Sequence, residues 1–278
     1  MDRSLKSQPV SHSAPLHLRP TAELAERVLL PGDPGRALAL AQSLLESPLM
    51  FNHHRGLWGY TGPAIADGEP LTIQSTGMGG PSAAIVLQEL IALGVRRAIR
   101  VGTCGALDGG LELGDLVVVH EALAADGTSR NLGAGERISA NRELTAALAG
   151  AVEGGANRAQ TAGSAGGSAA EQATERPPAA QGSERRTHPG ATVVSTDLFY
   201  EHDRAREQAW RAAGAVAVEM EAAALFALGA RVGIPVACVL AVSDLIGEQP
   251  GDEHTRIDDD ALLASAEAMG RAAVSALV

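Results

Sequence analysis

Short apolar runs alternate along the chain with amphipathic stretches, and glycine or proline stands at most of the changes between them. A short apolar run bounded by turn residues indicates a strand, and apolar residues at helical spacing indicate a helix. The strands predicted in this way are residues 27–30, 72–75, 97–101, 115–120, 191–195, 215–218 and 235–242, with a hairpin at 52–62. The predicted helices are residues 37–45, 83–93, 141–149, 203–213, 222–232 and 258–277. Because strands and helices alternate, we predict an α/β fold whose sheet carries helices on both faces.

Residues 71–106 give the clearest sign of a ligand-binding site. Each of its two predicted strands runs into a glycine turn, at residues 77–80 and 102–105, and the helix between them is apolar nearly all round. The carboxyl ends of parallel strands meet at one edge of a sheet, so the two turns should form a crevice there. Arg100 would place a guanidinium in that crevice and Thr103 a hydroxyl and an N–H, groups that together suit an anion.

Polar groups follow four of the predicted strands. They are Gly32 with Arg36, Arg100 with Thr103, Glu219 with Met220 and Glu221, and Ser243 with Asp244. The first two sets are cationic or rich in N–H groups, whereas the last two are acidic. One end of the crevice would therefore hold an oxyanion and the other a neutral or cationic polar group, which suits transfer to an anion such as phosphate.

The composition argues against several other classes of protein. A formal charge of −11 disfavours general affinity for nucleic acid, and the longest apolar run, residues 234–242, is too short to span a bilayer. The only lysine is Lys6, so a lysine nucleophile or Walker lysine is not expected. Two cysteines and the lack of an apolar signal core predict a cytoplasmic protein.

The GMGGPS turn lacks the third glycine of a dinucleotide fingerprint, and His53 and His54 lack metal-ligand spacing, so we expect no nicotinamide cofactor and no metal.

Residues 16–278 are predicted to form a single domain. Residues 1–15 are polar and are predicted to be a disordered tail. Residues 154–189 are rich in Gly, Ala, Ser, Gln and Thr and contain almost no large apolar side chain. Such a segment cannot bury a core, so we predict a disordered, low-complexity insertion within the domain.

Seven motifs occur in this order along the chain: PGDPGR, NHHRGLWGYTG, STGMGGPS, IRVGTCGA, STDLFY, VEMEAAALF and SDLIG. Together they resemble the bacterial, hexameric-type purine nucleoside phosphorylases of the nucleoside phosphorylase-I family. The resemblance implies a three-layer α/β/α fold around a central mixed, twisted sheet. It also implies phosphorolysis of purine (2′-deoxy)ribonucleosides to the free base and (2-deoxy)ribose 1-phosphate, in purine salvage. Inorganic phosphate would be the co-substrate, no cofactor would be needed, and the protein would be a homohexamer built as a trimer of dimers.

The resemblance implies a role for individual residues of these motifs. The phosphate-binding residues would be Gly32, Arg36, Arg55, Arg100 and Thr103. The ribose-binding residues would be His17, Met220 and Glu221, and the base-binding residues Phe199, Val218, Glu219, Ser243 and Asp244. Asp244 would also be the general acid that protonates N7 of the purine, with Arg256 as its catalytic partner. His17 and Arg55 would be donated to the neighbouring subunit's site.

Two other activities on the same fold remain open as alternatives, a uridine phosphorylase and a nucleosidase that uses water. STGMGGPS and the start HLRPT resemble uridine phosphorylases, and Thr103 stands where purine enzymes often carry serine. Those enzymes also carry a Gln-x-Arg pair after the FY motif, which residues 201–214 lack. The three arginines assigned to phosphate, Arg36, Arg55 and Arg100, argue against a nucleosidase, because a water nucleophile needs no arginine cluster. A non-catalytic nucleoside-binding protein would not need both Asp244 and these arginines.

Overall fold

The computed structural model describes residues 15–164, 186–200, 203–246 and 255–278. Within them the strands are β1 (Arg27–Leu30), β2 (Leu49–Asn52), β3 (Gly59–Pro63), β4 (Pro70–Gln74), β5 (Arg97–Ala106), β6 (Leu116–Ala124), β7 (Arg137–Ser139), β8 (Thr187–Ser195), β9 (Ala217–Glu219), β10 (Val236–Leu245) and β11 (Thr255–Arg256). The helices are α1 (Pro34–Leu44), α2 (Gly80–Leu93), α3 (Gly127–Asn131), α4 (Arg142–Ser164), α5 (Arg204–Ala212), α6 (Ala222–Val232) and α7 (Asp259–Ala276). The predicted α/β class with a mixed, twisted sheet is confirmed.

Five strands of the sheet close into a ring. β10 pairs with β5 in parallel and with β6 in antiparallel orientation. β6 then pairs with β8, β8 with β9, and β9 with β5. From β5, an open wing continues through β1, β4, β3 and β2. The strand β5 therefore lies at the junction of the ring and the wing.

Hydrophobic cores lie on both faces of the sheet. Val28 and Leu30 of β1 belong to the core covered by α2 and α6, whereas Leu29 between them belongs to the core covered by α1, α4 and α7. Successive side chains of a strand point to opposite faces, so a strand buried on both sides must be apolar at every position. This explains why β1 and β10 are near-continuous apolar runs, and it yields the helix layers on both faces that the sequence predicted.

The predicted glycine turn at residues 102–105 is wrong, because β5 continues through this stretch to Ala106. Parallel pairing with β10 holds the extension in place. Gly102 and Gly105 are needed here for packing, because a larger residue would collide with neighbouring side chains. A Cβ on Gly102 would lie 2.7 Å from Nη2 of Arg100, and one on Gly105 would lie 2.9 Å from Cδ1 of Ile246. Glycine thus makes room for side chains that fold across the strand.

The ordered elements reach into both ends of the insertion predicted at residues 154–189. Helix α4 runs to Ser164 and β8 begins at Thr187, while residues 165–185 lie outside the described part of the chain. Alanine favours helix, which is consistent with continuation of α4 into a segment of low hydrophobicity. Residues 1–14 of the predicted tail are likewise outside the described part. Among the described helices, none is long and apolar enough to cross a membrane.

Candidate active site

The candidate site lies where one edge of β5 has no strand beside it. Leu30 is the last residue of β1 that pairs along this edge, opposite Arg100, and β9 begins pairing only at Gly105. In the described chain, residues 101–104 of β5 therefore lack a strand partner on this side. The loop after β1 and the segment after β9 converge on the gap, because both strands end there. This convergence brings together Arg36 and Arg100, two of the residues predicted to bind phosphate, and Glu221, which is predicted to bind ribose.

Two guanidinium groups share the site. Arg36 lies in the first turn of α1, where the side chain of Asp33 caps the helix by accepting a hydrogen bond from the Arg36 N–H at 2.7 Å. Burial lowers the pKa of Arg36, and the charges of Asp33, Arg100 and Glu221 also act on it. Two like charges close together in a partly buried site repel each other, and a bound anion would relieve that repulsion.

Arg100 is only 4% exposed and keeps part of its donor capacity free. Its Nη2 donates to Oε2 of Glu221, and its Nε lies 3.3 Å from Oε2 of Glu219. Within the described residues its Nη1 has no hydrogen-bond partner. A Cβ on Gly32 would lie 4.0 Å from this atom, so Nη1 lies near the Gly32 loop. A buried donor without a partner costs free energy, so a ligand acceptor at this point would be stabilising.

The carboxylate of Glu221 is held from two sides. Its Oε1 accepts a hydrogen bond from the backbone N–H of Gly79 at 2.6 Å, and its Oε2 accepts from Arg100. Gly79 has a φ of +85°, a conformation that glycine adopts without strain. The sequence predicted a glycine turn here but missed this contact with Glu221. Met220, which precedes Glu221, is half-buried at the same junction.

Asp244 and Val218 flank the far end of the gap. Gly105 of β5 is the register partner of Val218 in β9 and of Asp244 in β10. The hydroxyl of Ser243 donates to Oδ2 of Asp244 at 2.6 Å. Asp244 sits at a bulge in the β5–β10 pairing, and bulges commonly redirect a side chain near an active site.

Arg256 lies directly opposite Asp244 in the antiparallel pair of β10 and β11. Its Nε is 3.7 Å from Oδ1 of Asp244, and its side chain is 70% exposed whereas that of Asp244 is 21% exposed. The structure thus brings together the predicted acid and its predicted partner. Residues 247–254, which connect them, lie outside the described chain.

Other predicted site residues are placed less centrally. Thr103 is half-buried on β5, between Arg100 and Gly105. Phe199 is 66% exposed and makes an edge-to-face contact with Tyr200, with ring centroids 5.0 Å apart. The side chain of Glu219 has no exposed surface.

His17 and Arg55 have contacts and conformations of their own. His17 Nδ1 lies 2.7 Å from Oε1 of Glu89, whose carboxylate also accepts the backbone N–H groups of residues 16–18. Arg55 is exposed and has a φ of +61°, which is uncommon for a residue with a side chain. Among the described residues, no hydrogen bond or ion pair joins either side chain to Arg36, Arg100 or Glu221.

No group of three or more His, Cys, Asp or Glu side chains in the described part of the chain is placed to hold a metal ion. The chemistry available at the site is that of two guanidiniums, carboxylates and backbone N–H groups. Such a set can bind an oxyanion at one end, hydroxyl groups beside it, and a proton-accepting leaving group at the other end.

Comparison with known proteins identifies close sequence relatives. The family model described as "Phosphorylase superfamily" matches residues 26–278. A protein of Geobacillus kaustophilus named "Purine nucleoside phosphorylase DeoD-type" is 33% identical over 244 residues, which cover 85% of this chain and 89% of that relative. Proteins with the same name from Clostridium novyi and Alkaliphilus metalliredigens are 34% and 35% identical, over 84% and 80% of this chain and 87% and 83% of their own lengths.

Proposed function

The chain belongs to the phosphorylase superfamily, and we propose that it catalyses phosphorolysis of purine nucleosides. In this reaction inorganic phosphate attacks C1′ of a ribose or 2-deoxyribose, and the products are the free purine and the pentose 1-phosphate. The observation that carries the proposal is that Arg36 shares the site with a buried Arg100, whose Nη1 lies near Gly32 and has no hydrogen-bond partner among the described residues. The relatives named as purine nucleoside phosphorylases support the substrate class.

Arg100 would connect the two reacting parts of the substrates. Its free Nη1 would bind phosphate together with Arg36, Thr103 and the backbone at Gly32. Its Nη2 already holds Glu221, whose carboxylate is suited to accept hydrogen bonds from ribose hydroxyl groups. A phosphate bound there would lie beside C1′, where positive charge develops as the glycosidic bond breaks. Charges fixed in advance at the position of a developing charge are commonly the largest contribution to catalysis.

Asp244 would act on the leaving base. In its protonated form it would donate to N7 of the purine, so that the base departs neutral rather than as an anion. Val218 lies on the other side of Gly105 and would line the base pocket. Both cysteines of the chain are free and buried, which is consistent with the cytoplasmic location predicted from the sequence.

We further propose that the active form is a homo-oligomer, a hexamer made of dimers, in which His17 and Arg55 enter the neighbouring site. Within the described part of one chain, no hydrogen bond or ion pair joins either side chain to Arg36 or Arg100, which is consistent with this arrangement. In a symmetric dimer, each site would then use Arg36 from one subunit and Arg55 from the other.

Two inactive variants should therefore restore each other's activity when their subunits are mixed. Arg36→Ala and Arg55→Ala proteins each lack one arginine in every site. If they are unfolded together at equal concentration and refolded, about half of the dimers are mixed, and one of the two sites in each mixed dimer keeps both arginines. Activity at low phosphate should recover to roughly a quarter of the wild-type value. No recovery, with mixed dimers detected by mass spectrometry, would show that Arg55 does not act across the interface.

A comparison of nucleosides tests the proposed function. Initial rates with inosine, guanosine, adenosine and uridine are measured with and without inorganic phosphate. We expect rapid cleavage of the purine nucleosides in phosphate only, and slow or no cleavage of uridine. Preferential cleavage of uridine would instead identify a uridine phosphorylase, and equal rates without phosphate would identify a nucleosidase.

A further inference from the structure

The side chain of Glu219 is directed into the body of the protein. It has no exposed surface, although the neighbouring Val218 and Met220 are half-buried. Alternation along β9 explains the difference, because successive side chains of a strand point to opposite faces. A carboxylate buried in this way needs hydrogen-bond donors and opposite charge around it.

Donors from β8 and from the start of α6 surround this carboxylate. Its Oε2 accepts hydrogen bonds from the N–H groups of Glu221 and Ala222, both at 2.9 Å. Its Oε1 accepts from the Ala222 N–H at 3.0 Å and from the Ser195 hydroxyl, whose oxygen accepts the Ala223 N–H at 2.9 Å. Helix α6 has no side-chain cap from its N-cap residue. Glu219 and Ser195 therefore satisfy its first N–H groups from outside the helix.

The same oxygen that holds the start of α6 also faces Arg100. Oε2 of Glu219 lies 3.3 Å from the Nε of Arg100, while Nη2 of Arg100 donates to Glu221. A single carboxylate oxygen thus accepts a hydrogen bond from the backbone of Glu221 and forms an ion pair with the guanidinium that contacts the side chain of Glu221. Within the described residues, Nε and Nη1 of Arg100 have no hydrogen-bond partner, and Nη1 lies near Gly32.

We propose that Glu219 is a positioning residue, which sets the relation between the phosphate-binding Arg100 and the ribose-binding Glu221 without contacting either substrate. This inference rests on the proposed function, because that function assigns phosphate to Arg100 and ribose to Glu221. This positioning role differs from the base-binding role that the family resemblance implies for Glu219.

Two variants of Glu219 separate the effect of side-chain length from the effect of its charge. Glu219→Asp keeps the charge but retracts the carboxylate by one methylene, so it cannot hold both α6 and Arg100. Glu219→Gln keeps the length and can place its carbonyl oxygen where Oε2 now lies, with its NH₂ toward the Ser195 oxygen. We expect Glu219→Asp to lower kcat/KM for phosphate by about 10- to 100-fold, the scale for losing hydrogen bonds to a charged group. Glu219→Gln should recover most of that loss.

Ser195→Ala is the matched control, because it removes a donor to Oε1 of Glu219 and weakens the cap of α6, while Oε2, which faces Arg100, keeps both of its N–H donors. All variants are compared after correction for the folded fraction. Ser195→Ala should lower Tm while leaving KM for phosphate as in the wild type. The inference is overturned if Glu219→Asp is more active than Glu219→Gln, or if neither variant changes kcat/KM for phosphate. A changed preference between inosine and adenosine would also overturn it, because it would indicate contact with the base.

The wild-type protein, assayed in parallel, separates failure of this inference from failure of the proposed function. If the wild type cleaves nucleosides without phosphate, the proposed function itself is wrong. If the wild type requires phosphate and the variants do not affect its use, only the role of Glu219 is wrong.

Discussion

Replacing Asp244 with asparagine should lower kcat for inosine phosphorolysis by about 10²-fold or more, the usual scale for a positioned general acid. Asparagine keeps the shape of the side chain and can still accept a hydrogen bond from Ser243, which now donates to Oδ2 at 2.6 Å. It cannot deliver a proton to N7 of the leaving purine. The measurement is steady-state turnover of inosine at saturating phosphate.

A substrate that needs no proton provides the control for this variant. In 7-methylinosine the base already carries a positive charge, so it leaves neutral without help from an acid. Asp244→Asn should therefore cleave 7-methylinosine at a rate close to that of the wild type. Equal losses with both substrates would contradict a proton-donating role and would indicate that Asp244 acts only in binding.

Replacing Arg100 with methionine should abolish saturable phosphate use and lower the free energy of unfolding by about 3–5 kcal/mol, the range for removing one partner of a buried ion pair. Arg100 lies between the carboxylates of Glu219 and Glu221, which are buried with it. Without the guanidinium, both negative charges lack their buried counter-ion. Urea unfolding measures the change in stability.

The loss of stability in Arg100→Met should depend on pH. Burial raises the pKa of Glu219, and Arg100 is the largest influence that lowers it. A carboxyl whose folded-state pKa is raised contributes stability that is fully present below its unfolded-state pKa and is lost as the pH rises through its folded-state pKa. The deficit of the variant should therefore shrink as the pH falls from about 8 to about 5. A deficit that stays constant over this interval would place its origin in lost packing rather than in uncompensated charge.

A double variant tests whether the charge of Arg100 compensates the charges of Glu219 and Glu221. Arg100→Met combined with Glu221→Gln removes the cation together with one of the two carboxylates. It should be more stable than Arg100→Met alone, although it should remain inactive because both binding groups are gone. A double variant as unstable as the sum of two independent losses would contradict charge compensation between the residues.

The sequence predicted the strand and helix order because most strands are buried on both faces. Val28–Leu30 and the apolar run that became β10 are continuous for that reason, and their side chains fill the two cores. The sequence could not predict where β5 ends. Gly102 and Gly105 are typical of a turn, and only pairing with β10 and packing against Arg100 and Ile246 makes them part of a strand.

The site was predicted as a set of residues but not as a network of contacts. Arg100 and Glu221 are 121 positions apart, so their hydrogen bond depends on how β5 and β9 meet. The orientation of Glu219 had a signal in the sequence. Glu219 and its neighbour Val218 lie on a short strand, so their side chains point to opposite faces. The helix that follows begins with alanines, and its N-cap side chain makes no capping hydrogen bond. An upstream carboxylate was therefore available to cap it.

The fate of phosphorus tests the central claim most directly. ³¹P NMR is used to follow inorganic phosphate while the protein cleaves inosine, and hypoxanthine is measured in the same sample. We predict that one phosphate is converted to ribose 1-phosphate for each hypoxanthine released. Release of hypoxanthine with free ribose, while the phosphate signal stays constant, would contradict phosphorolysis and the assignment of Arg36 and Arg100 to the nucleophile.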